Sequence, residues 1–465
     1  MTPMQGCGAL VGVACSLSER LAPAPVQHHT PYGVWVLAGV LAVVVVLAVL
    51  SPWLRRRSPH VWWVLCGFPV AVWRVRWTWR RLADLQNLSV PKRPALALLG
   101  DVVLKGRALK PIAPRVGLPH WRRGGLVVRV RLHPGQTPDM YLNAGVAMAH
   151  AWRMFSVRVT SDTRGFLELT SLAWDPLGAP CVPRSLTGAE LLTAIVGQWE
   201  DGAAWLVSLR LVPHWLIVGA TRSGKSTLLA TLVSAWARQP VALVGIDLKG
   251  GMELSLFEAR LSALATTRTE AADLLGRLVT IALERMALCR GAGARSIWEL
   301  PDKLRPVPVI VLIDELAELY LMASSADKAE VAQVSTALLR LAQLGAALGV
   351  HLVVAGQRVG SDLGPGATAL RAQLAGRICH RVCDKATAEM ALGDLNRDAL
   401  DASQQITPAQ QGVAVTFTDN GGWMRARSVL TTPDEARRTA QRFAHLTPDL
   451  DQLGGGGPMW AVEAP

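Results

Sequence analysis

Apolar positions fall into three regimes along the chain. The first is a charge-free run of seventeen residues, Val34–Leu50, followed closely by Arg55–Arg57. That length is at the short end for a membrane-crossing helix. A second apolar stretch, Val61–Trp73, is thirteen residues long and contains Pro69. It suits an interfacial or re-entrant piece better than a span. In the second regime the pattern alternates. Leu126–Leu132 reads as a half-buried strand, Met140–Arg153 as a helix, and Phe155–Thr160 and Gly165–Thr170 as further strands. Asp175–Arg184, with its prolines, reads as a connection. The third regime consists of short, near-continuous apolar runs: His214–Gly219, Val241–Asp247, Val309–Asp314, Val350–Gly356 and Gly412–Phe417. Helical stretches such as Glu270–Leu288 and Lys328–Ala346 alternate with them. The pattern predicts an α/β domain with a mostly parallel sheet covered on both faces.

The expected organisation is an irregular tail over 1–33 and a membrane segment of one or two spans over 34–79. A small α/β domain with its connection then covers 80–205, a motor domain 206–446 and a flexible tail 447–465. No internal repeat is visible.

Charge sharpens this picture. The net charge is +13, and residues 1–125 alone, with 16 Lys/Arg and three acids, account for all of it. The rest of the chain is neutral, so overall basicity says little about DNA binding by the motor. The basic zone reads as juxtamembrane, facing anionic lipid. Seven of the 17 tryptophans fall in the first 80 residues, as membrane-edge residues do. One span would put the N-terminus outside and every arginine from Arg55 onward inside. Two spans would put Arg55–Arg57 outside, against the positive-inside rule. Both place the motor in the cytoplasm at the cell membrane. The seven cysteines show no paired metal spacing; Cys379 and Cys383 are four apart with no second pair.

Two motifs carry chemistry. G-A-T-R-S-G-K-S, Gly219–Ser226, fits the phosphate-loop pattern and lies between a strand-like run and the helix-like Thr227–Ala237. Its glycines let backbone N–H groups wrap phosphates, Lys225 reaches the β and γ oxygens, and the Ser226 hydroxyl is a magnesium ligand. The nucleotide contacts expected are Gly219, Ala220, Thr221, Arg222, Ser223, Gly224, Lys225, Ser226 and Thr227. The second motif is V-I-V-L-I-D-E, Val309–Glu315. A buried strand there delivers Asp314 beside the metal and Glu315 toward the attacking water. Together they predict an enzyme that hydrolyses ATP with Mg2+.

Around these motifs stand P-H-W-L-I-V-G-A-T-R-S-G-K-S-T (Pro213–Thr227), I-D-L-K-G-G-M-E-L-S (Ile246–Ser255) and L-E-R-M (Leu283–Met286). Further on come V-I-V-L-I-D-E-L-A-E-L (Val309–Leu319), G-V-H-L-V-V-A-G-Q-R (Gly349–Arg358) and G-R-I-C-H-R-V (Gly376–Val382). In this order and spacing, over about 200–445, the chain resembles the FtsK/SpoIIIE family of DNA translocases. The resemblance implies a RecA-like motor, preceded here by a small α/β domain and a transmembrane segment. The compact chain is similar to Tra proteins of actinobacterial conjugative plasmids and integrative elements. Only 19 residues follow the last motor helix, Pro433–Leu446, too few for a winged-helix DNA-reading domain.

The resemblance also implies that double-stranded DNA passes through a ring of identical subunits, a hexamer as in the family. Gln357 would sense the γ-phosphate. Arg377, or alternatively Arg381, would reach into a neighbour's site. Arg358–Arg371 would touch the DNA backbone, although Leu344–Leu348 lacks a basic residue often found there. Asp247 is either a residue behind the site or the cap of the turn before Lys249. Competing functions are a type VII-like protein-secretion ATPase, a chromosome-segregation pump, a coupling protein that recruits a relaxase with single-stranded DNA, and a non-catalytic membrane adaptor.

Overall fold

The computed structural model describes residues 32–91, 111–122, 124–161, 163–179, 190–322, 324, 327–360, 363–393, 397–418 and 422–454. Residues 1–31 of the expected tail over 1–33, 455–465 of the expected flexible tail over 447–465, and 180–184 of the expected connection lie outside them; residues 447–454 are described, with Leu450 and Leu453 buried. The chain divides into two units, Met1–Ala173 and Trp174–Pro465.

The first unit begins with helix α1, Tyr32–Arg57. Its Trp35–Arg57 portion is long and apolar enough to cross a membrane, with a mean hydropathy of 2.6 and no buried residue in its apolar window. Asp327–Leu348 passes the same length and composition test, but half of it is buried, as in a core helix. After Ser58 the chain turns into α2, Pro59–Trp62, a π-helical turn, Trp63–Gly67, and α3, Phe68–Leu85. The strands β1 (Val90–Pro91) and β2 (Pro111–Ile112) form an antiparallel pair. A small antiparallel sheet follows, made of β3 (Arg115–Val116), β4 (His120–Arg122), β5 (Gly125–Arg131), β6 (Ser156–Thr160) and β7 (Phe166–Leu172). Helix α4, Pro138–Trp152, connects β5 to β6. Leu126, Val128 and Val130 on β5 and Leu167 and Leu169 on β7 are buried, while the residues between them face outward. This is the period-two signature read from the sequence.

The second unit is built on ten strands: β8 (Thr193–Trp199), β9 (Ala204–Ser208), β10 (His214–Val218), β11 (Ala242–Ile246), β12 (Ala263–Ala265), β13 (Val309–Ile313), β14 (Val350–Gly356), β15 (Gly376–His380), β16 (Val413–Phe417) and β17 (Trp423–Ser428). They lie in the order 12-11-13-14-10-15-16-17-8-9. The strands from β12 to β15 are mutually parallel, and the pairings from β15 through to β9 are antiparallel. The sheet is therefore mixed rather than mostly parallel. The antiparallel half includes β8, which ends before residue 206, and β9, which spans it; both pair within this sheet. It also includes β17, where Arg425 is neutralised by Asp175 and Glu200, both at 3.0 Å.

Helices cover both faces. On β10, Leu216 and Val218 pack into one core with α6 (Arg268–Gly291) and α8 (Asp327–Leu348). Trp215 and Ile217 pack into the other with α5 (Lys225–Trp236) and α12 (Pro433–Arg442). Capping boxes at Thr267–Glu270 and Thr432–Glu435 fix the starts of α6 and α12. Arg285, from the L-E-R-M segment, is fully buried and donates to the carbonyls of Val307, Leu348, Gly349 and Leu453. It ties α6 to three chain segments distant in sequence.

Candidate active site

Strand β10 ends at Val218 and α5 begins at Lys225, so Gly219–Gly224 is a loop at the carboxyl edge of the parallel half. Ligands of open α/β sheets bind at this edge. Gly224 has φ of 112°, and a Cβ there would lie 2.5 Å from the backbone of Gly412. Only glycine fits both constraints. The loop is pinned from outside. Ala220 N–H donates to the Arg381 carbonyl at 2.9 Å, and Gly412 N–H donates to the Ser223 carbonyl at 2.9 Å. The first N–H groups of α5, which lack intrahelical partners, open onto this loop and favour a phosphate.

Lys225 is buried, and its Nζ donates to the Asp314 carbonyl at 2.7 Å and to Asp314 Oδ1 at 3.1 Å. Glu315 is also buried. Its Oε1 accepts from Gln357 N–H at 3.0 Å and its Oε2 from Lys249 Nζ at 3.2 Å. Lys249 Nζ lies 3.9 Å from Asp314 Oδ2 as well. Burial lowers the Lys249 ammonium; the Glu315 carboxylate, their hydrogen bond and Asp314 outweigh it and hold the group above the ordinary lysine value. Ser226 Oγ donates to Glu253 Oε1 at 3.0 Å. The oxygen donors Ser226, Asp314 and Glu253 are the hard set that suits Mg2+, which needs one or two carboxylates beside phosphate oxygens.

Asp247 accepts N–H from Lys249 at 3.2 Å, Glu253 at 2.8 Å and Leu254 at 3.1 Å. Of the two roles considered for it, capping the turn is the one its hydrogen bonds describe. By fixing that turn it presents both Lys249 and Glu253 to the site. Neither of those had been given a role from the sequence. The available signal was positional, because the turn follows β11, the strand beside β13.

Gln357 follows β14 with its side chain exposed, and its main chain reaches Glu315. Arg377 lies within β15 and is only 7% exposed, with Nη2 donating to the Arg371 carbonyl at 2.7 Å. Arg381, after β15, donates to the Thr221 carbonyl of the phosphate loop at 3.2 Å. Of the two arginines, Arg381 is the one at the loop. Ser361 and Asp362 of the expected DNA-facing loop lie outside the described residues. His380, on the same strand, is fully buried with Nδ1 3.0 Å from the Val413 carbonyl. Burial, aided by Lys225, pushes it down to about 4, so it is neutral at physiological pH.

Two families match this chain. A family of actinomycete conjugal transfer protein N-terminal domains matches residues 45–173. The FtsK/SpoIIIE family matches residues 188–307 and 297–361. The "Transfer protein TraSA" of Streptomyces ambofaciens is 40% identical over 359 residues, spanning 75% of this chain and 86% of that protein. A "Sporulation regulatory protein" of Streptomyces azureus is 49% identical over 257 residues, 55% of this chain and 85% of that one. Among solved structures, the pCW3 conjugation coupling protein TcpA, a monomer form with ATPγS, has a TM-score of 0.54 at 20% identity. It covers 72% of this chain and 94% of its own, and the likeness is one of fold.

Proposed function

As the chain belongs to the FtsK/SpoIIIE family, beside the actinomycete conjugal transfer proteins, we propose that its motor pulls double-stranded DNA through a membrane-held ring of identical subunits. The protein is a membrane-associated, ATP-hydrolysing DNA translocase related to conjugative transfer. The observation that carries the site assignment is the meeting of Lys225 with Asp314, with Glu315 next in the chain, at the carboxyl edge of the sheet.

In this reading the triphosphate lies along Gly219–Thr227. Lys225 neutralises charge at the β and γ oxygens. Ser226 and Asp314 hold Mg2+, which supplies further charge neutralisation there when bound, and Glu253 orients the Ser226 hydroxyl. Glu315 orients the attacking water and is itself oriented by Lys249 and the Gln357 N–H. In this reading Arg381, less buried than Arg377, reaches a neighbour's γ-phosphate in a hexameric ring. Gln357 begins the segment Gln357–Arg371, so loss of the γ-phosphate changes the partner of a residue directly preceding the DNA-facing loop.

The test is the ATPase rate of the full chain in nanodiscs, with and without long duplex DNA, with Lys225→Ala as the blank. Stimulation by duplex of any sequence supports the reading. A Lys225-dependent rate indifferent to DNA overturns it in favour of protein secretion. Glu315→Gln is expected to retain ATP binding and lose turnover.

A further inference from the structure

We propose that α3 lies along an anionic phospholipid surface, with Trp73 and Trp77 at headgroup depth, and that the chain crosses the bilayer once. This rests on α1 being the membrane anchor and goes beyond it. It gives the small α/β unit a lipid contact of its own.

One side of the helical stretch from Trp63 to Ala83 is already occupied by protein. Trp63, Gly67, Ala71, Val75 and Trp79 recur every four residues and are all buried. Trp63 Nε1 donates to the Gly125 carbonyl at 3.1 Å and Trp79 Nε1 to the Pro114 carbonyl at 2.8 Å. Trp79 also packs against Trp152 of α4. A helical stretch whose inner side is held by α4, by the Pro114 carbonyl and by Gly125 of the small sheet is not a lipid-surrounded span. A second crossing at Val61–Trp73 would drag that sheet's polar edges into hydrocarbon, where their unpaired backbone groups have no partners.

The opposite side is unusual for water. Trp73 and Trp77 are 60% and 75% exposed, with rings stacked at 5.8 Å. Val61, Val64, Leu65 and Val70 continue the exposed apolar line. Exposed Arg76, Arg80 and Arg81 flank it, and Asp84 is the single acid of α3. Tryptophan beside arginine is the composition of a helix lying in an anionic interface. The surface is also continuous with the anchor. Trp62 Nε1 donates to Ser51 Oγ of α1 at 2.8 Å, and the Arg55 guanidinium sits 5.1 Å from the Trp62 ring. The arginines of α3 lie on the stretch held by the folded α/β unit, and a single span puts the Arg55–Arg57 cluster on that same side, as the positive-inside rule favours. Charge density and this continuity select lipid over a second copy of the chain.

The experiment uses the full chain in a background with its seven cysteines replaced by serine and its ATPase retained. Single cysteines replace Trp77, Arg57 or, as an exposed control, Glu168. In nanodiscs containing phosphatidylglycerol, an NBD label at Trp77→Cys is expected to be quenched by headgroup-proximal doxyl lipid, and the label at Glu168→Cys is not. In oriented vesicles, Arg57→Cys is expected to react with an impermeant maleimide only from the motor side. Replacing Arg76, Arg80 and Arg81 with Gln is expected to reduce quenching at position 77 several-fold and leave Lys225-dependent ATP hydrolysis unchanged. No lipid quenching at position 77 overturns the lipid contact; shielding from maleimide without lipid quenching does so in favour of a protein partner. Reaction of Arg57→Cys from the opposite side overturns the single span. Loss of DNA-stimulated ATPase in the unmodified chain would sink the proposed function and leave these readouts intact.

Discussion

Lys249→Met tests whether the turn after β11 is part of the machinery. The substitution keeps the length of the side chain and removes its ammonium. Glu315 is 7% exposed and holds Lys249 at 3.2 Å, so it loses its counter-charge and keeps only the Gln357 N–H. At an effective dielectric of about 20, the Coulomb attraction at this distance is about 5 kcal/mol. The Lys249 side chain is 38% exposed, so water competes and the ammonium loses hydration when it binds. The net value falls to about 1–2 kcal/mol, that of a hydrogen bond between charged groups. If Lys249 orients Glu315 for the water, this is lost from the transition state. The turnover number should then fall about 5- to 30-fold with little change in KM. The assay is duplex-stimulated ATP hydrolysis over a range of ATP concentrations, with binding of a fluorescent ATP analogue measured alongside. Lys249→Arg should recover part of the rate. Wild-type or faster turnover in Lys249→Met would refute the reasoning and make Lys249 a bystander or a brake.

Three further outcomes follow from the same geometry. Gly224→Ala forces a Cβ to within 2.5 Å of the Gly412 backbone at a left-handed φ, so titration calorimetry should detect no ATP binding; retained affinity would show that the loop can relax. Arg285→Met leaves the carbonyls of Val307, Leu348 and Leu453 without this donor and should cost about 3–5 kcal/mol, read as a lower urea midpoint; an unchanged midpoint counts against it. His214, His351 and His380 are pushed by burial to about 4, 3 and 4, below their ordinary 6.5. The unfolded chain therefore takes up protons first on acidification. Stability is complete above about pH 6.5 and declines toward pH 4 by up to about 4 kcal/mol per pH unit. Thermal melts from pH 7.5 to 5 should show this decline, and His351→Asn should flatten it; a flat wild-type profile would sink the assignment.

The parallel half of the motor was legible because each of its strands but two is an apolar run that stops at a functional residue. β10 stops before Gly219, β11 before Asp247, β13 before Asp314 and β14 before Gln357. In the antiparallel half, β16 is an apolar run and was legible, whereas β17 was hidden because it carries charge inward. β17 reads as polar, yet Arg425 meets Asp175 and Glu200, and Arg427 donates to the Leu177 carbonyl at 2.6 Å. β15 carries Arg377 and His380, whose polar atoms meet main-chain carbonyls of Arg371 and Val413. Such satisfaction depends on segments far away in sequence, which periodicity cannot report.

The site divides in the same way. Lys225 with Ser226, and Asp314 with Glu315, are each contiguous, so local pattern finds them. Lys249 and Glu253 enter through a turn that Asp247 folds; the adjacency of β11 and β13 brings Lys249 to Glu315, and the same turn brings Glu253 to Ser226. That adjacency bears on the proposed cycle. Glu315 touches Lys249 with one oxygen and the Gln357 N–H with the other. A carboxylate that rotates toward water shifts the geometry of both contacts. The Gln357 contact is made by the main chain, so loosening it frees a peptide group at the start of the proposed DNA-facing segment rather than a side chain alone. In the proposed cycle, coupling between hydrolysis and movement then needs no long relay. It can begin at one backbone hydrogen bond, and a side-chain substitution such as Gln357→Ala leaves that bond in place. Such a variant should impair phosphate sensing less than a change to Glu315 itself.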